Sequence, residues 1–270
     1  MANSPTLVCV HAHPDDEAIF TSGATSHYGG LGVNVVLVTC TNGRLGIDGA
    51  GRAGDVAEHD EGATRATRAA ELQRSAALLG FGRVVTLGFD DSGMTGWPQN
   101  TEPRAFMNID VDAVASTLAA LFDEVGATVV ITYDENGYYG HPDHVMANVL
   151  TRRALDVATS PRRLYYPVTP RSVIRAFVPR AQAAGLFLPA WITEAEAGTP
   201  DELVATTLDV TAYTATKREA IAAHESQLDN ADLVTMDPEL FTLMFGTEYY
   251  QRAWSRGAAS GDGTDLIGGL

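Results

Sequence analysis

The chain has 270 residues, enough for one large hydrophobic core, and its 45% apolar and 19% charged content is that of a folded globular protein. Disordered, collagen-like and coiled-coil architectures are excluded on those grounds. Eighteen Lys and Arg stand against 34 Asp and Glu, a net charge of −16, which repels phosphate backbones and anionic lipid. The expected partner is therefore a small molecule, with no nucleic acid and no membrane. No apolar run reaches the roughly 18 residues of a spanning helix. The opening Met-Ala-Asn-Ser-Pro has no basic segment, apolar stretch or cleavage signal, so a cytoplasmic location is expected. Cys9 and Cys40 lie in apolar runs and read as buried core thiols, since a single pair is no disulfide framework.

Residues 6–12 (TLVCVHA), 33–41, 83–87 and 127–133 are nearly continuous apolar runs, the pattern of strands covered on both faces. Between them, 17–28, 61–79 and 110–124 are long enough for crossover helices, the second with Ala69, Leu72, Ala76 and Leu79 at helical spacing. The repetition predicts an α/β fold, Rossmann-like, with a mostly parallel sheet and helices on both faces. Gly29-Gly30-Leu31-Gly32 precedes a strand, so it reads as a helix end and not as a dinucleotide loop. In such sheets ligands bind beyond the carboxyl ends of the strands.

The second half is a smaller, irregular α/β portion. Helices are predicted over 144–158, 170–184 and 212–227, strands over 163–168 and 203–210, and a frayed tail after Trp254. Residues 1–160 read as the catalytic core and 161–270 as the part that completes the substrate cleft, with no linker between them. Residues 45–62, rich in Gly, Asp and Glu, read as a flexible flap that sets substrate choice.

The unusual residues fall at two strand ends. His11-Ala12-His13-Pro14-Asp15-Asp16-Glu17 follows the first run, and Tyr138-Tyr139-Gly140-His141-Pro142-Asp143-His144 follows the fourth. Imidazoles with carboxylates suit a borderline divalent cation, and catalytic zinc takes three protein ligands. His13 and Asp16, three residues apart, can wrap one side of an ion, and the second segment supplies the remaining imidazole. Asp15 is then placed to take a proton from an activated water. His141 can face the attacked carbonyl or protonate the leaving amine, and Asp143 orients a histidine through its other ring nitrogen. The implied reaction is metal-assisted amide hydrolysis. His11 reads as a packed strand histidine, and His27 and His59 as solvated. Acidic residues after a strand also cap helices, but two such clusters at successive strand ends are poorly explained that way.

These paired motifs resemble the LmbE-like (PIG-L) zinc deacetylases over most of the chain. The resemblance implies a Rossmann-like α/β domain, His13, Asp16 and His144 as zinc ligands, Asp15 as general base and His141 as electrostatic or acid partner. Within that family the likeness is to the mycothiol enzymes, which act on N-acetylglucosaminyl-inositol or on mycothiol conjugates. By that likeness Tyr139 helps at the oxyanion, Arg68 binds substrate and Asp91 of Asp91-Ser92-Gly93-Met94 contacts sugar hydroxyls. The late His224-Glu225-Ser226-Gln227 matches a family segment without an assigned role. Read locally, Arg68 and Glu71 are also spaced as a surface ion pair, and Asp91-Ser92-Gly93 is ordinary turn chemistry. The expected activity is removal of the acyl group from the 2-amino position of a glucosamine-containing small molecule, with Zn2+ as cofactor and Fe2+ as its alternative. A homo-oligomer is compatible with the sequence. Rival readings are a mycothiol-conjugate amidase, a natural-product tailoring deacetylase, an iron oxygenase using two histidines and a carboxylate, and a non-catalytic sugar-binding module.

Overall fold

The computed structural model describes residues 4–227, 231–257 and 263–268. The chain opens on β1 (Thr6–His11), turns into the short helix α1 (Asp16–Phe20), breaks at Thr21, and continues through α2 (Ser22–Gly30) into β2 (Asn34–Thr41). After a long loop come α3 (Glu61–Leu78), β3 (Arg83–Phe89), α4 (Val111–Glu124) and β4 (Ala127–Ile131). A one-turn α5 (Gly137–Gly140) leads to α6 (Pro142–Val157), β5 (Arg163–Val168), α7 (Arg171–Ala183) and α8 (Ala190–Thr193). The remainder is β6 (Thr206–Asp209), α9 (Thr214–Ala222), α10 (Ala231–Thr235), α11 (Pro238–Phe245) and β7 (Thr247–Ser255).

The strands form one sheet in the order β3-β2-β1-β4-β5-β7-β6. The first five are parallel, and β7 runs antiparallel to both β5 and β6. Successive side chains of a strand point to opposite faces, and here both faces are covered. Val8, Val10, Val36 and Val38 pack with Leu118 of α4 and Leu150 of α6, while Leu7, Cys9, Val35 and Leu37 pack with Tyr28 of α2 and Leu72 of α3. That double burial is why the runs read as continuous apolar stretches. A third cluster, including Phe177, Ile221 and Phe241, joins α7, α9 and α11. Among the described residues no helix is long and apolar enough to cross a membrane.

The structure departs from expectation in three places. The single helix predicted over 17–28 is two, because the Glu248 carboxylate accepts the Gly23 and Ala24 amides at 2.8 Å each and so caps α2. A Cβ on Gly23 would lie 2.6 Å from Val210 and 2.7 Å from that carboxylate, so the approach requires glycine. The helix predicted over 212–227 ends at Ala222, leaving 224–227 as an irregular segment. Of the tail predicted to fray, residues 263–268 pack instead: Leu266 is buried, its amide donates to Tyr28 Oη and its carbonyl accepts from Arg163. The rest of that tail lies outside the described residues. Strand β7 and helices α10 and α11 had no counterpart in the sequence reading.

Candidate functional site

Strand order reverses between β1 and β4: the chain winds outward through β2 and β3 on one side and through β5 on the other. The ends of β1 and β4 therefore flank the crevice in which open α/β sheets bind ligands. Both His-rich motifs emerge there. Pro142 starts α6, where its missing N–H costs nothing. Gly137 holds φ 65°, and a Cβ there would meet His144 Cβ and Val145 N at 2.8 Å. Its carbonyl can thus approach the His144 ring.

His13, Asp16 and His144 come together. The facing nitrogens, His13 Nδ1 and His144 Nε2, are 3.3 Å apart. Asp16 Oδ2 lies 3.4 Å from His13 Nδ1 and Asp16 Oδ1 lies 3.5 Å from His144 Nε2. The opposite ring nitrogens fix the tautomers. His144 Nδ1 faces the Gly137 carbonyl at 3.2 Å, and His13 Nε2 faces Asp143 Oδ2 at 3.2 Å. Both partners only accept, so each of those nitrogens carries a hydrogen. The lone pairs of His13 Nδ1 and His144 Nε2 then point at each other beside a carboxylate oxygen. Such an arrangement needs a proton or a cation among the three atoms. The second oxygen of Asp143 is buried without a hydrogen-bond partner.

Two compact donor groups stand out among the described residues: His13 with His141 and His144, and His13 with Asp91 and Asp143, each with ligand atoms within 4.8 Å of one another. Asp16 belongs to neither, because it turns a different oxygen to each histidine. Its Oδ2 also accepts the His13 amide at 2.7 Å and the Tyr133 hydroxyl at 2.6 Å, which leaves Oδ1 open. Burial pushes the His13 imidazolium down, yet the carboxylates of Asp91, Asp143 and Asp16 reverse this and hold it well above its usual value. Burial and then the neighbouring His13 charge lower His141 to about 3. Burial lowers His144 to about 4, against the pull of Asp16. His141 Nδ1 accepts the Asp143 amide at 3.1 Å, so a neutral His141 bears its hydrogen on Nε2.

Asp15 holds an unusual backbone, φ 121°, a region that L side chains seldom enter. It is clamped from both sides. Arg68, buried, donates to the Pro14 and Gly43 carbonyls and lies 3.1 Å from Asp15 Oδ2. Glu17 Oε2 accepts the Asp15 amide at 3.0 Å. Burial pushes the Asp15 carboxyl up to about 6, opposed chiefly by Arg68. Arg68 and Glu71 do not form the surface pair their spacing suggests: Glu71 accepts the Ser226 amide and hydroxyl, both at 2.8 Å.

The irregular segment 224–227 is a clasp. The ring N–H of His224 donates to Glu17 at 2.7 Å, Ser75 donates to the same oxygen, and both charged groups are fully buried. Gln227 Oε1 accepts the Ile47 amide at 3.2 Å. This ties down the loop predicted to be a flap, which Asp48 also knots by accepting the Ala50, Arg52 and Asp60 amides. His59, expected to be solvated, faces the Gly46 carbonyl at 2.8 Å and is half-buried. Removing one partner of a buried charge pair costs about 3–5 kcal/mol, so His224→Ala lowers unfolding free energy by about that amount in urea titration. His224→Gln, which keeps an N–H for Glu17, recovers most of it.

Around the cluster is a pocket of about 270 Å³ lined by Asp15, Arg68, Asp91, His141, Tyr139 and Gln227 on its polar side. Leu45, Met94 and Trp97 form part of its apolar side. Asp91 is both turn and site: Oδ1 accepts the Gly93 amide at 2.9 Å and lies 3.7 Å from His13 Nε2. The Tyr139 ring meets His144 edge-on at 5.0 Å. Sequence reasoning missed Tyr133, whose ring stacks on His144 at 4.0 Å while its hydroxyl holds Asp16. It named Glu17 and Gln227 without giving them a role, and it missed Trp97 of the pocket wall. His11 is packed, as read, 2.9 Å from the Thr21 hydroxyl and 3.3 Å from that of Tyr133.

The profile of the PIG-L family, described as GlcNAc-PI de-N-acetylase, matches residues 8–155. The chain is 40% identical over 241 residues to the 1D-myo-inositol 2-acetamido-2-deoxy-alpha-D-glucopyranoside deacetylase of Thermobifida fusca, covering 84% of each chain. It is 36% identical to the protein of the same name from Geodermatophilus obscurus, covering 100% of this chain and 99% of the relative. Among solved structures, the N,N'-diacetylchitobiose deacetylase of Pyrococcus horikoshii shares the fold with a TM-score of 0.61 at 19% identity, covering 93% of this chain and 84% of that one. Sequence and fold agree, and the chain belongs to the PIG-L family.

Proposed function

We propose that this protein is a metal-dependent amidohydrolase that removes the acetyl group from the 2-acetamido position of a glucosamine-containing small molecule, acting in the cytoplasm. The carrying observation is the convergence of two imidazole lone pairs and Asp16 Oδ1 beside the clamped carboxylate of Asp15. Two imidazoles and a carboxylate suit a borderline divalent ion. Ligands about 2.0–2.1 Å from zinc at tetrahedral angles sit about 3.3–3.4 Å from one another, close to the 3.3 Å between the two imidazole nitrogens and the 3.5 Å from His144 Nε2 to Asp16 Oδ1. His13, Asp16 and His144 would hold the ion, with zinc the expected metal and ferrous iron its alternative. When bound, such an ion polarises an amide carbonyl and makes water acidic near neutral pH.

The chain's own residues supply the rest. Asp15 accepts a proton from the attacking water as its oxygen bonds to the carbonyl carbon, and returns it to the nitrogen as the C–N bond breaks. The products are acetate and a free amine. The Nε2–H of neutral His141 donates to the oxygen on which negative charge develops, and the Tyr139 hydroxyl stands on the same wall. Arg68 keeps Asp15 ionised and aimed, and Asp91 and Gln227 offer acceptors and a donor to sugar hydroxyls.

The test follows amine release from N-acetylglucosaminyl-inositol and simpler N-acetylglucosaminides, with metal-stripped protein before and after zinc is restored. Zinc-dependent release is the expected result. Its absence from every one of these substrates overturns the reading. A protonated Asp15 cannot serve as base, so activity is lost as pH falls through its pKa. In the wild type that limb falls at or below the value of about 6 set by burial and Arg68, because a bound cation adds to the pull of the guanidinium. Arg68→Met removes that pull, and the acid limb of kcat/KM moves to higher pH.

A further inference from the structure

A second, larger cavity of about 590 Å³ adjoins the polar pocket, and Ile19, Phe20 and Tyr139 line both. The rings lead from one to the other. Phe20 meets His144 edge-on at 6.0 Å, and Tyr139, against His144 on one side, stacks on Trp191 of the cavity wall at 5.8 Å. Beyond them the wall is largely apolar, with Phe177, Ile192, Met236 and Met244, and Phe187 stands on it 80% exposed. The buried polar groups there are already engaged within the protein. The Tyr138 and Thr169 hydroxyls share a hydrogen bond of 2.6 Å, and Lys217 donates to the Ile19 carbonyl at 2.6 Å and to Glu248 at 3.3 Å. Glu248 in turn accepts the Gly23 and Ala24 amides and the Tyr250 hydroxyl. A hydroxylated group entering this space would lose water and gain little; an aliphatic one gains from burial.

The scissile amide carries a sugar on its nitrogen and an acyl group on its carbon. Arg68, Asp91 and Gln227 line the polar pocket and not the cavity. A substrate that sets its hydroxyls against those three and its carbonyl at the histidines leaves the cavity to the other substituent of the amide. We infer that the cavity is an acyl-chain subsite, and that the substrate class includes amino sugars whose N-acyl group is an aliphatic chain longer than acetyl. This rests on the deacetylase reading above and deepens it.

The test compares N-acetyl-, N-butyryl-, N-hexanoyl- and N-octanoylglucosamine with a parallel series of methyl, butyl and octyl glycosides of N-acetylglucosamine. Each buried methylene is worth about 4-fold, so kcat/KM in the acyl series climbs by about that factor per methylene until the cavity is full, while the glycoside series stays level. Met244→Trp, which fills the cavity, lowers the octanoyl-to-acetyl ratio at least tenfold; the ratio cancels any general damage to the enzyme. A level acyl series, a rise confined to the glycosides, or an unchanged ratio in Met244→Trp overturns the inference. Calorimetric binding of the same acyl series to Asp15→Asn protein separates it from the deacetylase reading. Tighter binding with chain length, even without amine release by the wild type, supports the subsite and sinks the activity. Amine release from the acetyl compound with binding indifferent to chain length does the reverse.

Discussion

In Asp15→Asn, kcat falls by about 10²–10⁴-fold, the range of a lost general base, while the divalent metal stays bound. The substitution is nearly isosteric. Asparagine tolerates positive φ better than most residues, so the backbone held by Glu17 and Arg68 keeps its shape. What disappears is the proton acceptor. Single-turnover amine release and metal analysis of the same preparation measure the two quantities. A variant that keeps the wild-type rate would remove Asp15 from the chemistry, and one that loses metal with the rate would make it a ligand.

His144→Ala and His141→Ala part company in the same assays. His144 Nε2 lies 3.3 Å from His13 Nδ1 and 3.5 Å from Asp16 Oδ1, so its loss leaves two of three expected ligands, and both bound metal and activity are abolished. His141 shares a compact donor group with His13 and His144, and a ligand set using it in place of Asp16 is the geometric competitor. The proposed set predicts that His141→Ala retains the metal and loses about 10²–10³-fold in kcat, the cost of one donor to a developing oxyanion. Metal loss in His141→Ala with metal retained in Asp16→Asn reverses the assignment.

How much of this was legible in the sequence depends on how far each residue reaches. Double-sided burial made β1, β2 and β4 readable, and their carboxyl ends located both His motifs. Asp143 could be assigned to a histidine because the pairing of ring nitrogen with carboxylate is so common around metals. Tyr133 was invisible because a tyrosine closing an apolar run looks like core; its hydroxyl acts on Asp16, 117 positions away. Glu17 reads locally as a helix N-terminal acid, yet its partners are Ser75 and His224. Arg68 and Glu71 have the spacing of a pair, yet they reach different partners from the same helix, Asp15 for one and Ser226 for the other. Strand β7 escaped for a related reason: Glu248 near its start caps α2 across the fold, so its polarity disguised its burial.

The bond between His224 and Glu17 spans 207 positions, and this has a bearing on when the enzyme can first act. A chain growing on the ribosome has exposed the candidate ligands and the candidate base once residue 144 is out. The group that holds Glu17, and through it the strained peptide of Asp15, arrives only with residue 224. Contacts of such long separation close late in folding. A chain interrupted before residue 224 would carry the candidate ligands and base but lack the partner of the buried Glu17 carboxylate that holds the Asp15 amide.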